Sequence, residues 1–208
     1  MKKLYDDLWQ TSLEHPFAGL NAHAYFLQRG EGSVLFYNTS IAGDLEEISN
    51  LGGISFQYLS HRHESGNSLR TVKAMFDPKL CADVLEEPYI DSVVDVVFSV
   101  RQHHSSTIEV IPTPGHTEGG LCFYYESHTG LRYLFTGDTL FQSNGEWGTL
   151  VLSGDGGSAE ALVTSLSILG SLEPDVVLCS ASLGDISVVE VTQQEWHKAI
   201  DTGIAGLK

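Results

Sequence analysis

His61 and His63 are separated by one residue at the end of an alternating apolar stretch, so both imidazoles can leave an extended backbone on the same side. Such a pair can grip one metal ion. His116, preceded by Pro114-Gly115, and Asp138, preceded by Gly137, also follow strand endings. In open α/β-type sheets such edges gather functional groups. Three neutral imidazoles, a carboxylate and a position left for water suit zinc, and suit iron or manganese where more oxygen ligands join. One such ion lowers the pKa of its water from roughly 15.7 to about 7, which makes hydroxide available near neutrality. Asp138 would then accept a proton or hydrogen bond from that water, or bind the ion directly.

These side chains must be carried by particular elements. Residues 22–37 give two aromatic-rich runs broken by Arg29-Gly30-Glu31-Gly32, the chemistry of a hairpin turn. Leu45, Ile48 and Leu51 fall at helical spacing before Gly52-Gly53, and the alternation of Ile54, Phe56 and Tyr58 then predicts a strand leading into the His61 loop. Short helical patterns occupy 69–75 and 78–85, and 92–97 reads as a strand. Strands are also expected over 108–111, 121–125, 131–135 and 176–178. Ser158 is a good N-cap for a helix whose stripe is Leu162, Leu166, Leu169 and Leu172, and 191–204 reads as a last helix. Hairpin, strand, polar loop and helix thus occur twice. Two β-sheet halves back to back, each covered by helices, fit that pattern within one domain over 1–208.

Composition narrows the function classes. Charged residues make up 18% of the 208, against a usual share of about 25%, and 42% are hydrophobic, which predicts a packed globule. The formal net charge of −16 opposes docking on phosphate backbones or anionic lipid, so neither nucleic acid nor a membrane is an expected partner. A small-molecule substrate is. No apolar run approaches a membrane span, and the start turns acidic where a secretory peptide needs an apolar core, so a cytoplasmic location is expected. Cys81, Cys122 and Cys179 are too few and scattered for a disulfide framework and read as buried thiols.

Leu59-Ser60-His61-Arg62-His63, Pro114-Gly115-His116-Thr117-Glu118-Gly119 and Phe135-Thr136-Gly137-Asp138-Thr139-Leu140 occur in that order, and in this the chain resembles the metallo-β-lactamase superfamily over roughly residues 20–185. The resemblance implies an α+β fold, a four-layer αββα sandwich with metal at one edge between two sheets. It also implies metal-dependent hydrolysis. His61, His63 and His116 match the family's first metal site and Asp138 its bridging carboxylate.

The departures shape the expected chemistry. Where the family's first motif runs His-x-His-x-Asp-His, this chain has Ser65 and Gly66, and Ala181 stands where the family has its last metal histidine. Asn38-Thr39-Ser40 replaces a family Asp-Thr-Gly, removing a carboxylate that helps position the metal. The reading is therefore a mononuclear hydrolase of a small ester or thioester, using a metal-bound hydroxide, with Glu64 or Ser65 reaching toward the place of the second ion. The rival is a catalytically inactive member acting as a binding, sensor or scaffold module. His23 reads as a packed or hairpin-face residue and His103-His104 as a solvated turn. Trp147 could wall a pocket or pack in the core. Asp155 lies in a glycine-bearing loop that could approach the metal edge but reads first as a solvated turn, and Glu86-Glu87 reads as a solvated face.

Overall fold

The computed structural model describes residues 1–208. The chain opens on two strand pairs, β1 (Lys2–Tyr5) with β2 (Leu8–Gln10) and β3 (Glu14–Phe17) with β4 (Leu20–Ala22). The expected hairpin follows as β5 (Tyr25–Leu27) and β6 (Val34–Phe36), then helix α1 (Ala42–Asn50) and strand β7 (Phe56–Tyr58). Next come α2 (Ser68–Phe76), β8 (Lys79–Asp83) and β9 (Val96–Phe98). The second half holds β10 (Gln102–His104), β11 (Ile108–Pro112), β12 (Leu121–Glu126), β13 (Arg132–Gly137), β14 (Phe141–Ser143) and β15 (Glu146–Gly148). It closes with α3 (Ala159–Leu169), β16 (Val176–Cys179), β17 (Ala181–Leu183), β18 (Val188–Glu190) and α4 (Gln193–Ala205).

The strands form a seven-stranded sheet, β1-β2-β5-β6-β7-β8-β9, and a six-stranded sheet, β10-β11-β12-β13-β16-β18. A five-stranded sheet, β15-β14-β17-β4-β3, joins the two halves at one edge. Period-two alternation explains how the second sheet serves two cores at once. Phe123, Tyr133, Phe135 and Leu178 face the first sheet, where Phe36 stacks on Phe135 with centroids 3.8 Å apart. Cys122, Leu134 and Val177 face the other way, onto Leu162, Leu166 and Leu169 of α3 and Trp196 of α4. On the far side of the first sheet Leu69 of α2 packs with Leu59, Leu80 and Ala82. The result is the helix–sheet–sheet–helix order, α+β, that the sequence pointed to.

Local sequence accounts for the helix ends. The Ser158 hydroxyl accepts from the Ala161 amide, and Thr192 with Glu195 makes a reciprocal capping box at α4. The helical pattern over 78–85 is overturned, because the apolar run Leu80-Cys81-Ala82 is a buried parallel strand between β7 and β9. A short buried run carries no period that separates the two conformations. No helix is long and apolar enough to cross a membrane.

Candidate metal centre

β7 lies inside the first sheet and β13 inside the second, each with a parallel neighbour, and both point their C-terminal ends at the same edge. His61 follows β7, and Asp138 directly follows β13. Because β12 runs antiparallel to β13, the turn carrying His116 opens at that edge too. The Leu121 amide donates to the Ser60 carbonyl at 2.8 Å and ties the two sheets together there.

Two glycines permit the close approach. Gly137 has φ +53°, and a Cβ on it would stand 2.6 Å from Ser60 Cβ. Gly115 has φ +142°, and its Cβ would stand 2.6 Å from the backbone nitrogen of Leu162 in α3. Only glycine fits either place. Tyr37 adopts φ 68°, an uncommon conformation for a bulky side chain. Its hydroxyl accepts from the Gly137 amide at 2.8 Å and donates to the Leu178 carbonyl at 2.9 Å, so one ring of the first half braces the strand end that bears Asp138.

The fold brings His61, His63 and His116 together: one nitrogen from each lies within 4.8 Å of the others. Asp138 Oδ2 is 3.5 Å from His61 Nε2 and 3.7 Å from His116 Nε2. The second nitrogens fix the tautomers. His116 Nδ1 donates to the Leu150 carbonyl at 2.9 Å, which leaves Nε2 as a lone pair. Ser60 donates its hydroxyl proton to Glu64 at 2.5 Å, so at 3.0 Å it accepts from His61 Nδ1, and the proton His61 gives up first is the one on Nε2, which leaves that nitrogen as the lone pair. His63 Nε2 lies 3.3 Å from Asp155 Oδ2, leaving Nδ1 for the cluster.

His61 Nε2 and His116 Nε2 are buried with no hydrogen-bond partner. A buried polar atom is seldom left so, and two of them aimed at one carboxylate fit a divalent cation. The donor set, imidazole and carboxylate, suits zinc, iron or manganese.

Electrostatics agree with that fit. Burial would push the His61 imidazole down, but Asp138 and Glu64 outweigh it and raise its pKa to about 9. Burial, followed by the charge on His61, lowers His63 and His116. Burial would raise Asp138, yet His61, His116 and the Ser180 hydroxyl hold it below its ordinary value. In the metal-free protein His61 thus carries a proton at pH 7 that an incoming cation must displace. Metal uptake at pH 7 is expected to release about one proton per ion, with apparent affinity rising about tenfold per pH unit until pH about 9. Calorimetry in buffers of different ionisation enthalpy measures this. The sign for stability is opposite: the raised His61 stabilises the metal-free fold fully below pH 6.5, and this contribution disappears as pH rises through about 9.

Several sequence expectations change. Ser65 Oγ accepts from the Asp91 amide at 2.8 Å and points away from the centre. Glu64 serves Ser60 and His61 and also lines the cavity over the imidazoles. Asn38 donates to the Glu64 carbonyl at 2.9 Å and to Ser68 at 2.8 Å, a purely structural bridge. Glu86, expected in solvent, is fully buried: it accepts from the Arg62 backbone and guanidinium at 2.8 and 2.6 Å and from the Gly119 amide at 3.0 Å. Arg62 also reaches Glu118 at 2.8 Å and lies 3.7 Å from the Tyr89 ring centre. This network locks the His61-Arg62-His63 loop to the His116 turn. Asp155, read as a turn residue, instead stands beside His63. His104 bonds the Tyr58 hydroxyl, away from the centre, and Trp147 packs edge-on to Trp196 in the helix-side core. His23 lines the cavity above the centre. The strand pattern of residues 22–27 gave a face for His23 but no hint of what that face meets.

The family model of the metallo-beta-lactamase superfamily matches residues 86–181. Among solved structures, the fold is similar to a metallo-beta-lactamase from Pontibacter korlensis, at 17% identity and a TM-score of 0.75, over 99% of this chain and 97% of that one. It is also similar to a B3 metallo-beta-lactamase described as the first with an active-site glutamic acid, at 13% and 0.74 over 99% and 88%. A third likeness is to ETHE1 from Myxococcus xanthus, at 15% and 0.68 over 93% and 89%. At these identities the solved structures speak for the fold alone. Matched segment and fold agree: residues 86–181 match the sequence model of the metallo-β-lactamase superfamily, and the chain as a whole takes up a metallo-β-lactamase fold.

Proposed function

We propose that this chain is a mononuclear metal-dependent hydrolase in which His61, His63, His116 and Asp138 hold one divalent ion, zinc by preference, with iron or manganese also suited, and which cleaves a small ester or thioester. The unpartnered, buried Nε2 atoms of His61 and His116, both facing Asp138, carry this reading. When bound, the ion supplies Lewis-acid polarisation and acidifies water. The chain's own groups supply the rest. Asp138, kept ionised, offers Oδ2 to accept a proton or hydrogen bond from a water beside the imidazoles. Ser180 donates to Asp138 Oδ1 at 2.5 Å and fixes which oxygen faces the histidines. Leu150 and the Ser60–Glu64 pair hold two of the rings in orientation.

A single ion is supported by the side chains where the family places its second. Gly66 and Ala181 have no side-chain donor atom, and Ser65 is turned away. The same reading treats 1–208 as one domain and puts it in the cytoplasm, in keeping with three free, buried thiols.

The test is metal counting with turnover: chelated protein is reloaded with zinc, iron or manganese and assayed on 4-nitrophenyl acetate and a matching thioester. About one equivalent per chain, with hydrolysis lost on chelation and restored by metal, is expected. Two equivalents would overturn the mononuclear centre. Retained metal without turnover would leave a sensor or structural module, and less than about a tenth of an equivalent after reloading would end the enzyme reading.

A further inference from the structure

The cavity over the imidazoles has a volume of about 710 Å³, room for a small organic molecule. Its outer wall is apolar, with Leu13, Phe17 and Leu20 around the β3–β4 hairpin facing Ile41, Leu150 and Leu152. Phe17 is 71% exposed and Leu13 42%, a large apolar outlay for a surface with no packing partner of its own.

Equally informative is what the wall lacks. No lysine or arginine lines the cavity, while Glu14, Glu64 and Asp138 do. Apart from His15, exposed on β3 with no side-chain partner, the polar side chains near the hairpin are already committed. Glu14 accepts from the Thr39 hydroxyl at 2.7 Å and the Ser40 amide at 3.0 Å, and the Asn38 amide group is spent on Glu64 and Ser68. His23 donates from Nδ1 to the Thr11 carbonyl at 2.8 Å, and burial pushes its pKa down, so its free nitrogen is an acceptor. A carboxylate or phosphate placed on this wall would lose its hydration and meet no lysine or arginine; His61, on the floor, already faces Asp138 and Glu64, and only the exposed His15 is left uncommitted, in a chain of net charge −16.

We infer that the substrate is uncharged: an acyl compound whose apolar arm lies on the β3–β4 hairpin face and which bears no carboxylate or phosphate of its own, a restriction that excludes acyl groups on nucleotide carriers. The acyl identity rests on the hydrolase reading, whereas the charge preference stands on the cavity alone.

Octanamide and suberic acid monoamide have the same chain length and differ by a terminal carboxylate. Binding of each to metal-free protein, followed by ligand-observed NMR, keeps direct carboxylate–metal contact out of the comparison. Octanamide is expected to bind at least ~10-fold more tightly, and metal-loaded protein should show a similar preference in kcat/KM for 4-nitrophenyl octanoate over mono-4-nitrophenyl suberate. Leu13→Arg, at an exposed position, should shrink the difference about fivefold by supplying the missing cation. Equal or tighter binding of the suberate amide, no saturable binding of either amide, or an unchanged ratio in Leu13→Arg would each overturn the inference. Failure of the hydrolase reading looks different: the amide preference persists while neither ester is turned over. Turnover that favours the suberate ester would sink the substrate class and leave hydrolysis standing.

Discussion

Replacing His116 with alanine is expected to lower metal affinity by more than ~100-fold while leaving the circular dichroism spectrum unchanged. The ring is almost wholly buried, supplies one of the two orphaned nitrogens, and holds its tautomer through Leu150. Outer partners of a ligand histidine typically change affinity by about 10–100-fold, so loss of the ligand itself should exceed that range. The turn should survive, because its backbone is pinned independently: the His116 carbonyl accepts from Leu152 at 2.9 Å, and the Gly115 amide donates to the Thr117 carbonyl at 2.8 Å. Metal content by mass spectrometry and chelator competition gives the readout. His23→Ala is the control, since His23 lies outside the imidazole cluster and should keep its metal. Equal occupancy in His116→Ala would mean that the ligand set is wrong.

Glu86→Ala is expected to cost about 3–5 kcal/mol of folding stability, the range for stranding a buried charge by removing its partner. Arg62 would lose both guanidinium contacts to the carboxylate, and the Arg62 and Gly119 amides would lose their acceptor. Glu118 would remain as an ion partner, but its side chain is 37% exposed and offsets only part of the loss. Urea denaturation of the metal-free variant measures the cost. Because the network fastens the His61-Arg62-His63 loop to the His116 turn, metal affinity should also fall in any Glu86→Ala protein that folds. A change within about 0.5 kcal/mol would show that the buried ion pair is dispensable.

The contrast between these two sites shows what could be read from residue order. His61, His63, His116 and Asp138 were legible because their three motifs occur together and in order, as in the metallo-β-lactamase superfamily they resemble; the His-x-His pair alone is a common loop feature. Glu86 was not. In a chain with 27 acidic residues, Glu86-Glu87 resembles any solvated pair, and its burial depends on Arg62, whose loop comes from a distant strand. Asp155 was ranked below a solvated turn for the same reason: its neighbour His63 is set by tertiary packing, with no local pattern to announce it. The second sheet was readable from its long aromatic strands. The N-terminal strands were not, since β1 and β2 are short and split by Asp6-Asp7, and β3 contains Pro16, a residue that argues against a central strand. Asn38, Ser65 and Ala181 were legible as departures, but only the coordinates assign Asn38 and Ser65 to loop bracing.

The bridge from Tyr37 to Gly137 and Leu178 has a consequence for biosynthesis. The imidazoles leave from loops on opposite sheets, and the aspartate's strand end is propped by a phenol from the earlier half. The nascent polypeptide therefore has only the His61–His63 pair until the later half, with His116 and Asp138, has emerged and docked. If the centre takes a cation as proposed, its full coordination shell forms only after collapse, and an emerging ribosomal product can offer metal no more than a two-histidine grip.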